Sequence, residues 1–459
     1  MNIVNLDSFE KYREYYNLYT KNNSKLNDII ESIIQKYCFD YEPEKYYRLN
    51  ETNIRTRNIY ELSGIIIMLN AIIEKNLYGY CIKTGKKYKC EKMYYSNISF
   101  CKFMSIAYHF NCSENEFVIL FAWEYFTPLY IYYPKDNLIF NISYRYSNIQ
   151  QAIYDSNINY TIPHYPIDNF ISYSFGMMHN AGHHFWQEIH GLMLLFEYNL
   201  IDNIDEFIIY KYDYLNMSEI LQNKYNKKIT FFTSDTEQHN ITVNLSKHYI
   251  SNSSVDLFKH IYELKNNNHN NQINIVFDIR TNDRIWLNQI PIITHIMSTV
   301  KNTYTNYDVN FFVSGFYNYK HNPNSNNIYN SGKEIITQNS IFNIIKKSVS
   351  FPIYSLINFN LSQLVKICQK IDLCIGNAGS GISFFYQTIF NKDSICITSN
   401  KKTYHFDLQR YAFENYISNS SFLQSKYIID KNDNFYVKPG HLLPLVIEKI
   451  NNLILNKQT

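Results

Sequence analysis

Three windows of this 459-residue chain carry side chains able to do chemistry. The first, Phe175 to Gly191 (FGMMHNAGHHFWQEIHG), holds four of the 14 His together with Gly176, Gly182 and Gly191. Histidine is the side chain best suited to take a proton near neutral pH. His183 and His184 fall where a predicted loop meets a predicted helix, and Glu188 follows His184 by one turn on the same helix face. Three readings stay open here: a general base beside an acceptor loop, a His184–Glu188 metal pair, and packed or surface His without chemistry. The metal reading is the weakest, because the string lacks the His-Glu-x-x-His order and has no Cys nearby.

The second window, Val276 to Asn288 (VFDIRTNDRIWLN), contains Arg280 and Arg284, two of only eight Arg in a chain with 35 Lys. A guanidinium is a rigid fork suited to phosphate or carboxylate. Arg280 ends a predicted strand, where an α/β sheet presents its ligand side; the competing reading is a surface ion pair with Asp278 or Asp283. Trp286 reads as a core or hinge packer rather than a stacking platform. The third window is Ile371 to Phe385 (IDLCIGNAGSGISFF), with Gly376, Gly379 and Gly381 between an apolar strand and an apolar helix. Glycine permits close approach of backbone to ligand, and the helix that follows offers unpaired N–H groups to an anion. Ser380 and Ser383 would add hydroxyl donors. The spacing is neither the dinucleotide fingerprint nor a Walker loop, and a tight turn without ligand is the plain alternative.

These clusters stand out because the chain is poor in such residues. It has only 12 Gly, 10 Pro and 3 Trp, and six of the Gly lie in the first and third windows. With 46% hydrophobic and 17% aromatic residues the chain can fill a large core, which argues against disorder. Charge is balanced at a formal +3, so the totals give no reason to expect a nucleic-acid partner. The eight Cys form no Cys-x-x-Cys pair and suit no common zinc site, and the lack of a signal-peptide pattern at Met1 to Leu6 leads to the expectation of reduced thiols in a cytoplasmic protein. The most apolar early run, Ile65 to Ile73, is too short to cross a bilayer, so membrane association would be peripheral.

The elements that must position the windows follow from periodicity. Asp7 to Tyr37 and Leu62 to Lys75 read as helices, and short aromatic runs between Tyr78 and Tyr144 read as strands. From Phe170 onward strands alternate with helices, which predicts α/β architecture with parallel sheets. The polar run Asn266 to Asn271 marks a boundary. The expected domains are residues 1–165, a mixed helix and strand region of unassigned role; 166–268, a first Rossmann-like domain; and 269–459, a second one with a closing C-terminal helix.

Two α/β halves, the late Gly turn and the closing helix together resemble a GT-B glycosyltransferase. Leu361 to Ile397 (LSQLVKICQKIDLCIGNAGSGISFFYQTIFNKDSICI) is similar in pattern to heptosyltransferase-like members. The resemblance implies two Rossmann-like domains facing a cleft, with the acceptor side in 166–268 and the donor side in 269–459. It implies that Asn377, Gly379, Ser380, Gly381 and Ser383 contact the diphosphate or sugar of a nucleotide-sugar donor, and that Arg280, with Arg284 nearby, faces the donor phosphates. The base would be His183 or His184, with Glu188 as a further candidate. The implied reaction is metal-independent transfer to a hydroxyl of a glycan, lipid-linked or protein acceptor, with the nucleotide-sugar as co-substrate and no other cofactor. Absence of an Asp-x-Asp motif at a strand end disfavours the metal-dependent GT-A class. The alternatives are a non-catalytic nucleotide- or glycan-binding protein, another glycan-modifying enzyme such as a pyruvyl transferase anchoring phosphoenolpyruvate through Arg, and an assembly protein.

Overall fold

The computed structural model describes residues 2–5, 9–37, 64–97, 104–110, 116–122, 127–141, 165–166, 168–177, 181–232, 240–245, 252–264, 271–281, 285–318, 320–321, 332–377, 386, 389–390, 392, 394–399, 420–425, 427–428 and 434–458. The chain divides into two compact units. One is formed by 1–178, 184–211 and 218–249, the other by 179–183, 212–217 and 250–459.

In the first unit, strand β1 (Asn2–Asn5) leads into helices Phe9–Thr20, Ser24–Tyr37 and 64–74. The sequence predicts one helix from Asp7 to Tyr37; the structure breaks it, because the Asn23 side chain accepts the Leu26 N–H at 3.0 Å and caps a new helix. Strands β2 (Tyr78–Tyr80), β3 (Lys87–Asn97), β4 (Met104–Phe110), β5 (Phe117–Ala122), β6 (Thr127–Tyr133) and β7 (Leu138–Asn141) follow. They form a sheet of order β1-β7-β6-β5-β4-β3-β2, with β8 (Tyr165–Pro166) beside β3. β2 to β7 pair antiparallel in succession, and β1 adds to β7 in parallel. The runs read as strands between Tyr78 and Tyr144 leave out β3 and β4, and no strand is predicted at Asn2–Asn5, Tyr165–Pro166, Asn240–Val243 or Ser420–Ser425. β3 (KYKCEKMYYSN) alternates polar and apolar residues only over Lys87–Glu91 and loses the period of two beyond it.

A second sheet of the same unit contains β9 (Asp168–Phe175), β10 (Glu206–Ile209), β12 (Lys228–Phe231) and β13 (Asn240–Val243), in the order β12-β10-β9-β13 and parallel throughout. β11 (Tyr212–Asp213) lies between β10 and β12 in the chain but pairs in the other unit with β16 (Lys320–His321). The N-terminal region is tied to this parallel sheet. Tyr108 donates to the Thr242 carbonyl at 2.7 Å, Asn203 to the Ile72 carbonyl at 3.0 Å, and Lys75 pairs with Asp205 at 2.9 Å.

The second unit is built on β14 (Gln272–Asp278), β15 (Asp308–Ser314), β17 (Ile353–Ser355), β18 (Leu373–Asn377), β19 (Ser394–Ser399) and β20 (Ser420–Ser425). Their order is β17-β15-β14-β18-β19-β20, with every neighbouring pair parallel. In units of chain order this is 3-2-1-4-5-6, the order of a Rossmann sheet. β14 reads as a nearly unbroken apolar run because a parallel strand is covered on both faces. Ile273, Ile275 and Phe277 pack in one core cluster with Ile292, Ile293 and Ile296 of helix Gln289–Thr303 and Leu442, Val446 and Ile450 of helix Pro439–Gln458. Helix Leu361–Cys368 starts where Asn360 and Gln363 exchange side-chain and backbone bonds at 2.8 and 3.1 Å, a capping box. Helix Asn252–Ile261 also belongs to this unit, where Tyr262 just beyond it donates to the Leu215 carbonyl.

Candidate functional site

The strand order reverses between β14 and β18, and open α/β sheets bind ligands at the carboxyl end of such a switch point. Three residues meet there at one level of the sheet. Asp278 ends β14 and stands in register with Ser314 of β15 on one side and Gly376 of β18 on the other. Parallel residues in register point to the same face, so the Asp278 carboxyl, 8% exposed, lies between a hydroxyl and a glycine. A Cβ on Gly376 would come within 2.6 Å of the Asp278 Cβ, so only glycine fits beside this carboxylate. Ser314 Oγ is fully buried and has no hydrogen-bond partner among the described residues.

Past Asp278 the ladder continues for one bond, from the Ile279 N–H to the Ser314 carbonyl at 2.9 Å. The chain then turns through Arg280 and Thr281, and two buried amides hold that turn. Gln289, first residue of its helix, accepts from the Arg280 N–H at 3.3 Å and donates to the Arg280 carbonyl at 3.1 Å. Gln338, on helix Gly332–Lys347, donates to Thr281 Oγ1 at 3.3 Å and accepts from the Phe316 N–H at 2.5 Å. The turns after β14 and β15 are therefore linked by one side chain, while Arg280 itself stays partly exposed.

The sequence candidates of this half divide accordingly. Arg280 and Asn377 follow or end neighbouring strands at the same edge of the sheet, and Asn377 is buried. Arg284, Gly379, Ser380, Gly381 and Ser383 lie outside the described residues. Trp286 is buried in the core cluster, as its packing reading anticipates. Ser314, Gln289 and Gln338 escape the sequence reading; the Ser-Gly pair closing β15 was the one available signal, since Gly315 is another place where a Cβ would overlap a neighbour, the Gln338 amide.

After β9 the chain passes through Ala181–His183, which belongs to the second unit, and within the first unit a π-helical stretch, His184–Ile189, continues as helix His190–Glu197. π-helical turns recur at functional sites. His184 Nδ1 and Glu188 Oε2 are 2.6 Å apart, and the Met177 N–H donates to Glu188 Oε1 at 2.9 Å. Both carboxylate oxygens of Glu188 thus have work to do: one fixes the His184 ring, the other the turn beyond β9. A carboxylate on Nδ1 sets the imidazole tautomer and leaves Nε2 as the nitrogen for proton transfer. The pair is deep, with His184 0% and Glu188 1% exposed. The His183 side chain lies outside the described residues.

Among the described residues no group of three His, Cys, Asp or Glu is arranged to hold a metal ion, and no helix is long and apolar enough to cross a membrane. No protein-family model matches the chain, and no curated protein matches it. Fifteen chains of solved structures do. One is the glycosyl transferase family 9 from Veillonella parvula DSM 2008, which is 10% identical, with 62% of this chain and 97% of that one covered at a TM-score of 0.33.

Proposed function

We propose that the chain is a GT-B-type glycosyltransferase that moves a sugar from a nucleotide-sugar to a hydroxyl acceptor without a metal ion. The observation that carries this reading is the switch point of the six-stranded sheet, where Arg280, Asp278, Gly376 and Asn377 converge on the edge that binds ligands in such sheets. Arg280 would offset charge growing on the departing diphosphate, usually the largest electrostatic contribution to catalysis. Gly379, Ser380, Gly381 and Ser383 follow β18 directly in the chain and are the proposed phosphate loop. His184, oriented by Glu188, is the proposed proton acceptor through Nε2.

A screen of thermal shifts with UDP, GDP, CDP, CMP and ADP sugars tests donor binding, since a ligand of the native state raises its stability by mass action. Arg280→Ala should weaken donor binding at least tenfold, roughly the 1.5–3 kcal/mol of a charged hydrogen bond. Unchanged binding in that variant removes Arg280 from the donor site. The depth of His184 and Glu188 favours a second reading, nucleotide or glycan binding without turnover. It predicts donor binding with no sugar transfer, and binding indifferent to His184→Ala.

A further inference from the structure

We infer that Gln289 and Gln338 are positioning residues, two buried amides that hold the Arg280–Thr281 turn in shape for a phosphate-bearing anion. The inference rests on the donor reading of the same sheet edge. The Arg280 peptide lies beyond the last ladder bond of β14, which runs from the Ile279 N–H to the Ser314 carbonyl. Gln289 bonds both sides of this peptide from its side chain, accepting from the Arg280 N–H and donating to the Arg280 carbonyl, as an adjacent strand would. Gln338 then couples Thr281 to the Phe316 peptide, so the turns after the two central strands cannot shift independently. Both amides are 4% exposed, and these four side-chain bonds go to the turns rather than to their own helices. A buried amide costs desolvation that an apolar side chain of equal volume would avoid. Its return is a cationic turn already fixed before the anion arrives, which lowers the ordering cost of binding. Gly315 fits the same design, since any Cβ there would displace the Gln338 amide.

The experiment measures calorimetric Kd values for inorganic pyrophosphate and for UDP on the full chain. The variants are Gln289→Met and Gln338→Met, which keep volume and remove the bonds. Asn274→Ala is the control: Asn274 is equally buried on β14 and donates to the Lys370 carbonyl at 2.8 Å, but at the amino-terminal end of the strand. Each Gln variant should raise Kd about tenfold, the loss expected for one or two hydrogen bonds. Asn274→Ala should stay within about twofold while losing comparable thermal stability. Wild-type Kd in both Gln variants overturns the inference, and so does an equal rise in the control, which would mark the amides as structural only. Where Gln289→Met fails to fold, Gln338→Met carries the same comparison. Failure of the wild-type chain to bind either probe overturns the donor reading itself, and the inference with it.

Discussion

Gly376→Ala inserts one methyl group between two central strands, and the geometry fixes its cost. The new Cβ would lie 2.6 Å from the Asp278 Cβ, against 3.4–4 Å for ordinary contact. Asp278 cannot turn away, because its Cβ is bound to the backbone and no rotamer moves it. The β14–β18 pair, held in register from Ile275↔Leu373 to Asp278↔Gly376, must therefore spread or twist by most of an ångström at its carboxyl end. Overpacking of this kind costs about 1–3 kcal/mol. Urea denaturation would read that loss as a lower midpoint with unchanged m, and thermal unfolding as a fall of about 2–4 °C per kcal/mol for a unit of this size. The decisive comparison adds Asp278→Gly and the double variant. Asp278→Gly has its own cost, but with the Asp278 Cβ gone Gly376→Ala should add almost nothing, giving a coupling of about 1–3 kcal/mol. A Gly376→Ala variant as stable as the native chain, or one whose loss simply adds to that of Asp278→Gly, would refute the steric account of this edge.

Three further outcomes follow from buried contacts. Glu188→Ala leaves the Met177 N–H and His184 Nδ1 without their partner and should cost about 1–3 kcal/mol for each orphaned group, read by urea titration; a loss under about 0.5 kcal/mol would show that water replaces the carboxylate. Lys75→Met breaks a half-exposed ion pair and should cost at most about 1 kcal/mol, whereas Asp205→Ala should cost more because it also strips the Ile171 N–H of its acceptor at 2.8 Å; equal losses would contradict this ranking. Burial holds the Lys392 ammonium below the usual lysine range although Asp372 pulls the other way. The unfolded state therefore binds more protons between the two pKa values, so stability relative to Lys392→Met should be flat at neutral pH and rise as pH climbs toward 10.5. A falling difference over that interval would reverse the sign and place the charged form as the preferred one in the fold.

Much of the site was legible because local chemistry encodes it. The His184–Glu188 spacing puts two side chains on one helix face, and they meet at 2.6 Å even though the turn is π-helical. The apolar runs of β14 and β15, each broken by a single Asn, mark parallel strands, and among so few glycines Gly376 stands out. β3 and β13 were not legible: β3 loses its alternation beyond Glu91, and the four residues of β13, although they alternate, are too few to mark a half-buried surface.

By itself the sequence indicated the alternation of strands and helices from Phe170 onward, though not the edge strand Ser420–Ser425, and it placed the end of β14 at Arg280 rather than Asp278. Periodicity records local dihedral angles and the faces that meet the core, so these properties need no knowledge of neighbours. Register was decided only in three dimensions. Asp278 faces Gly376 from 98 positions away along the chain, and nothing in either local sequence names the other. The Gln338–Thr281 bond spans 57 positions, and an amide in a helix has the same local pattern whether it faces water or clamps a distant turn. The tie between the N-terminal region and the first parallel sheet, through Tyr108, Lys75 and Asn203, has the same origin. Contacts of this kind depend on which surfaces the chain brings together after its elements have formed, and only the tertiary structure holds that information.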